Sequence, residues 1–219
     1  MHDIYTFVTG PLVWVSFSLF IFGSIYRMIT MFALARKKDA VSLAYMDWKY
    51  SLRSIINWMI PYRALGWKKN PVMTIVTFVF HICLLATPIF LSAHIIMIEQ
   101  SWGVSWWTLS DTTADYMTVL VILACAFFAG RRLLKKDVRF LTTPHDWLIL
   151  VITALPFATG FLAYHQLFNY QVMIIAHVLA GNIMIAAIPF TRLSHMFFAV
   201  FTRSYIGSEF GIIRRSRDW

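Results

Sequence analysis

Four of the seven histidines in this sequence fall inside long apolar runs, where an imidazole without a partner is expensive to bury. His81 and His94 lie in "FHICLLATPIFLSAHI" at 80–95, and His177 and His195 lie in the run 171–201. A neutral imidazole with its proton on one nitrogen offers the other to a metal. His177 and His195 are 18 residues apart. On an ideal helix that is about five whole turns, so both rings would face one way roughly 27 Å apart along the axis. One helix ligating two cofactors at two depths needs this spacing. His81 and His94 are 13 apart, which on an ideal helix leaves them ~220° out of phase. Pro88 lies between them and removes a helical hydrogen bond, so a distorted helix around Thr87–Pro88 is expected if both rings face the interior.

The other histidines have simpler explanations. His2 is terminal, and His145 sits in "TTPHDW", which reads as a helix start. His165 sits in "AYHQLFNY", where Tyr164, His165, Gln166 and Tyr170 form a candidate quinone site with His165 as proton acceptor. The plainer reading of that cluster is an aromatic–polar belt at the membrane surface. Cys83 and Cys125 read as two small buried thiols. With no C-x-x-C or C-x-x-C-H motif, zinc, iron–sulfur and covalently attached haem have no ligands here.

The elements that must position these histidines are membrane helices. Of the 219 residues, 59% are hydrophobic and only 13% charged, about half the charge of a soluble domain, and the mean hydropathy is +0.67. The net charge of +9 does not point to nucleic acid, because the basic residues are confined to loops between apolar runs. "MHDIYTFVTG" lacks a basic leader and a small-residue cleavage site, so the first apolar segment is expected to be retained. The fold expected is an all-α integral membrane protein, a five-helix bundle forming a single membrane domain over 1–219. Its spans fall near 11–34, 72–98, 116–134, 147–166 and 171–201.

Every Lys and Arg except Arg27 lies in the 35–71 connection, the 131–139 turn or the tail from 191. The opposite loops carry Asp3, Glu99, Asp111 and Asp115 and no basic residue. The positive-inside rule therefore puts the N-terminus outside and the C-terminus in the cytoplasm. The stretch 41–69 mixes Trp and Ile with Lys and Arg, as a cytoplasmic interfacial segment does, and it could also dock a cytoplasmic partner.

Direction then pairs the histidines. The second span runs outward and the fifth inward, so His81 meets His195 near the inner face and His94 meets His177 near the outer face. Two bis-histidine sites at two depths suit two b haems and electron transfer across the bilayer. Gly181, Ala176 and Ala180 near His177, and Ala86, Ser92 and Ala93 in the second span, would let a flat macrocycle approach. Arg53 and Arg192 are candidate partners for inner propionates. The outer side has no Lys or Arg, which leaves Asn169, Tyr164, Trp residues or a partner subunit.

Five spans with paired histidines in the second and fifth resemble the gamma subunit of respiratory nitrate reductase. "YTFVTGPLVW", "FHICLLATPIFLSAHI" and "RLSHMFFAVFTRSYIG" more closely resemble the cytochrome b subunits of the high-molecular-weight (Hmc) and type II (Tmc) transmembrane electron-transfer complexes of sulfate-reducing bacteria. The resemblance covers essentially the whole chain. It implies haem ligation by His81, His94, His177 and His195. It also implies a cytoplasmic iron–sulfur partner like heterodisulfide reductase, an external multihaem cytochrome c, other membrane subunits and the bacterial cytoplasmic membrane. Electrons would come from cytochrome c or menaquinol, with menaquinone an optional second cofactor. No quinol-site motif carries over by position. The alternatives are a cofactor-free membrane anchor of a redox complex and a small proton-coupled carrier, though no Asp, Glu or Lys sits deep in any expected span.

Overall fold

In the computed structural model, residues 2–219 are described, and among them every regular element is helical. The helices are α1 (His2–Thr9), α2 (Pro11–Lys38), α3 (Ala40–Ala44), α4 (Trp48–Met59), α5 (Leu65–Lys69), α6 (Pro71–Phe90), α7 (Ser92–Trp102), α8 (Asp111–Leu134), α9 (Lys136–Leu141), α10 (Pro144–Tyr164), α11 (Tyr170–Ala187) and α12 (His195–Ser208). Five segments are long and apolar enough to cross a membrane: His2–Lys38, Pro71–Phe90, Asp111–Leu134, Pro144–Tyr164 and Tyr170–Phe190. The protein is a multi-pass membrane protein.

The chain forms two compact units, one of residues 1–13 and 76–184, the other of 14–75 and 185–219. In the first, Phe80 and Cys83 of α6, Val121, Ala124 and Cys125 of α8, and Phe157 of α10 make one buried cluster. Both cysteines are free and buried there, as the sequence suggests. α8 turns small residues inward (Ala114, Val121, Ala124, Cys125) and large ones outward (Tyr116, Leu120, Leu123). Membrane helices pack this way, since lipid accepts large apolar side chains while close helix contact needs small ones. Ser110 caps α8 by accepting a bond from the Thr113 N–H (3.2 Å), and Thr143 N–H bonds Asp146 Oδ2 (2.8 Å) at the start of α10, with Pro144 in the first turn. Gly103 ends α7 at φ +67°, a conformation glycine adopts without strain.

In the second unit, α4 lies tightly along α12. A Cβ on Gly207 would run into Ser54 Cβ, and one on Gly211, in the π-helical turn Glu209–Ile213 that follows α12, would run into the Tyr50 ring. The buried face of α4 is small and polar (Ser51, Ser54, Asn57), whereas Trp48, Leu52, Ile56 and Met59 are exposed. The outward apolar ridge is what an interfacial helix offers to lipid. The 41–69 segment is three short helices rather than one, interrupted where Asp47 caps α4 and again beyond Met59, where Tyr62 takes φ +62°.

Two spans are broken, the second close to the distortion expected there and the fifth where the sequence suggests continuity. The second is helical through Pro88 to Phe90, is extended at Leu91 (φ −69°, ψ 127°), and restarts as α7. The distortion expected around Thr87–Pro88 therefore sits three residues further on. The fifth gives way at Ala187 to a 3-10 turn (Ile188–Phe190), an extended Thr191 and a second 3-10 turn (Arg192–Ser194) before α12. Pro189 cannot donate to a helical bond, and Thr191 Oγ1 caps the next turn by accepting from Leu193 N–H (3.2 Å). The five-turn same-face relation between His177 and His195 assumed one unbroken helix and does not hold.

Candidate functional site

All four histidines of the apolar runs share one local geometry. Nδ1 lies on a backbone carbonyl oxygen in each: His81 on Thr77 (2.7 Å), His94 on Pro88 (2.9 Å), His177 on Pro156 (2.8 Å) and His195 on Arg192 (2.8 Å). A carbonyl can only accept, so the proton is on Nδ1 and the lone pair on Nε2. That tautomer is the one in which a histidine ligates metal through Nε2 while a second contact fixes the ring.

His94 and His177, both in the first unit, come together. Their ring centroids are 6.0 Å apart and the planes differ by 20°. An imidazole nitrogen lies ~2 Å from a bound transition metal, so two rings on opposite sides of one ion have centroids about 6 Å apart. Among the described residues no group of three or more His, Cys, Asp or Glu gathers to hold a metal ion. The His94–His177 pair offers two imidazole donors, with no third His, Cys, Asp or Glu gathered to them among the described residues.

One break in a helix and one missing side chain position this pair. In a continuous second span the carbonyls of Pro88, Ile89 and Phe90 would be taken by the N–H groups of residues 92–94. With Leu91 extended, each finds another donor: His94 Nδ1 (2.9 Å), Trp106 Nε1 (2.9 Å) and Leu109 N–H (2.9 Å), in that order. Phe90 stacks on Trp107 at 4.2 Å and 16°, and Ser92 Oγ donates to Asp111 Oδ1 (2.9 Å). Opposite, His177 rests on α10 where Gly160 has no side chain: a Cβ there would lie 2.9 Å from Nδ1 and 3.0 Å from Cε1. Beside Gly181 a Cβ would meet nothing within 4 Å, so that side is open, as a flat group requires.

A protein of Nitratidesulfovibrio vulgaris (strain Hildenborough), bearing the name "Protein", is 34% identical to this chain over 214 residues, 96% of this chain and 95% of that one. This chain belongs to that protein's family. No family model matches the chain.

In this family member, His81 and His195 fall in different units. His81 stands edge-on to Phe80 (5.1 Å, 86°). His195 opens α12, three residues after Arg192, whose carbonyl it binds. Arg53 packs over Tyr50 (4.7 Å) and Trp219 (4.9 Å) and donates to the Ser216 carbonyl (3.3 Å).

Of the candidate quinone residues, Tyr164, His165 and Gln166 lie at the end of α10 and Tyr170 opens α11. Tyr164 stands edge-on to His165 (5.0 Å, 85°), Gln166 turns the chain at φ +51°, and Tyr164 and Tyr170 are exposed. His165 Nε2 pairs with Asp115 Oδ1 at 2.9 Å, so here the carboxylate occupies the nitrogen that the other four direct elsewhere. Asp115, Trp106 and Gly160 are functional candidates the sequence reading missed. The pattern did hold hints: an acid at the outer end of the third span, and a glycine one turn after a mid-span proline.

Proposed function

We propose that this chain is a dihaem b-type cytochrome subunit that conducts electrons across the bacterial cytoplasmic membrane. The observation that carries this reading is the His94–His177 pair, 6.0 Å apart with both Nδ1–H groups on proline carbonyls. When bound, haem supplies reversible one-electron transfer at iron. His94 and His177 would hold the outer haem by Nε2, and their Nδ1 contacts raise ligand basicity and fix ring orientation. His81 and His195, with the same tautomer, would hold the inner haem, with Arg192 beside His195 as cation for its propionates. Arg53 is the other propionate candidate, although the tail already engages its guanidinium.

The loop charges support an external N-terminus and a cytoplasmic C-terminus. In that orientation the outer haem takes electrons from an external multihaem cytochrome c or from menaquinol, and the inner haem exchanges them with a cytoplasmic iron–sulfur subunit related to heterodisulfide reductase. The chain would then be the electron-transfer subunit of a membrane oxidoreductase complex, with no catalytic residue of its own. Tyr164, His165, Gln166 and Tyr170 are the residues for menaquinone, and the contact with Asp115 orients the His165 ring.

A visible spectrum of the purified, dithionite-reduced protein tests the proposal. We expect a b-type α-band and two haems per chain by pyridine haemochrome, falling to one in His94→Ala or His177→Ala. Absence of any such band leaves the cofactor-free anchor.

A further inference from the structure

We infer that Trp106 is a positioning residue for the outer site: it holds open the helix break at Leu91, and that break aims His94. This rests on the proposal that His94 is a haem ligand, but its structural part stands without haem. The sequence by itself points His94 away from the direction of His81, so something must turn the outer half of the span.

Pro88 alone does not do so. The helix runs on through it to Phe90, because a proline lacks the N–H that would bond one turn back and leaves the following carbonyls intact. The break comes where three successive carbonyls accept from outside the helical ladder. Trp106 Nε1–H takes the middle one, that of Ile89, at 2.9 Å, and Leu109 N–H of the same loop takes that of Phe90. The loop 103–110 thus straps across the interruption, with the Phe90–Trp107 stack as a second anchor. The remaining carbonyl, Pro88, is the one that receives His94 Nδ1. In a continuous helix that oxygen would carry the Ser92 N–H, and Leu91 would not be extended. The indole donor, the break and the ring orientation are one linked arrangement: Pro88 and Ile89 are exposed and would face lipid in a membrane, where a carbonyl left unbonded is costly and would drive the helix to re-form. The same linkage lets Trp106 set the electronics of the outer iron, because the Nδ1 hydrogen bond governs ligand basicity.

The discriminating variant is Trp106→Phe, which keeps the ring and deletes the donor, with Trp107→Phe as control because it retains the stack on Phe90. In the haem-loaded protein we expect Trp106→Phe to keep two haems. One of the two low-spin ferric signals and one of the two midpoint potentials should shift, the other staying in place, while the control leaves both unchanged. In haem-free protein labelled with nitrogen-15 at histidine, the His94 Nδ1–H resonance, assigned by His94→Asn, should persist in the parent and exchange severalfold faster in Trp106→Phe. Unchanged exchange in the variant overturns the inference whether or not haem binds. Altered exchange in a protein with no b-type band overturns only the haem reading. Movement of both haem signals together also overturns the inference, since it marks general destabilisation.

Discussion

His177 can lie against α10 only because residue 160 carries no side chain. The ring atoms Nδ1 and Cε1 sit 2.9 and 3.0 Å from where a Cβ would be, closer than such atoms approach, while the Pro156 carbonyl, one turn earlier on the same helix, accepts from Nδ1. Gly160→Ala therefore has two ways to relax: move the ring, losing the bond to Pro156, or part α10 from α11. Either costs about 1–3 kcal/mol, as overpacking does. We expect one haem of the two to be lost or spectrally shifted while the other is retained, read by pyridine haemochrome and by reduced-minus-oxidised spectra. A variant with both haems unchanged would remove Gly160 from the site. At this scale the sequence was informative about residue type and silent about partners. The four imidazoles stand out because their burial in apolar runs is expensive. The Pro156 carbonyl that orients His177, and the Asp115 that meets His165 across 50 residues, depend on how α8, α10 and α11 meet.

Elements show why some breaks can be read and others cannot. A proline inside an apolar run announces a distortion, but its position follows from which donors reach the freed carbonyls. At Leu91 those donors are on a loop more than ten residues away, and nothing local to Thr87–Pro88 encodes them. The fifth span is similar: Pro189 is buried, and Gly23 of α2 admits it, since a Cβ there would lie 2.8 Å from Pro189 Cγ. The small-residue spacing Ser204, Gly207, Ser208 and Gly211 is equally visible in the sequence. It is the seat of α4. Ser51 Oγ donates to the Ser204 carbonyl (3.2 Å), and Ser208 Oγ accepts from Asp47 N–H (3.0 Å). Asp218 binds Ser54 and lies 3.7 Å from Arg203, which closes the chain end over α4. Gly211→Ala forces the Tyr50 ring off the turn that follows α12, with an expected loss of at least about 2 kcal/mol. The prediction is a lower midpoint in thermal unfolding and faster tryptic cleavage within 60–69, with Ser216→Ala as a variant that changes neither. Equal cleavage rates in Gly211→Ala and the parent would mean that α4 is held by something other than this contact.

For the whole molecule, burial and charge make one statement together. The side chains left outside include Leu134 at 87% and Phe140 at 88% exposure, an arrangement water would punish and a bilayer boundary rewards. The same turn carries Arg131, Arg132, Lys135, Lys136 and Arg139, and the ridge of Trp48, Leu52, Ile56 and Met59 on α4 lies among Lys49, Arg63, Lys68 and Lys69. Apolar side chains flanked by cations belong at the cytoplasmic headgroup level, where the aliphatic parts enter the acyl boundary and the charges stay with anionic lipid. The loop 103–110 that straps the break at Leu91 has no basic residue at all and holds Trp106 and Trp107. In the proposed orientation that loop faces outward and the His94–His177 site lies near the external surface, within reach of the proposed external electron donor. Alkaline phosphatase fused after residue 105 should then be active, and fused after residue 69 or 139 inactive, with a fluorescent-protein fusion giving the reverse order. An active fusion after residue 69 would invert the molecule. It would place the outer pair on the cytoplasmic side and exchange the two haems' partners, leaving the ligand geometry untouched.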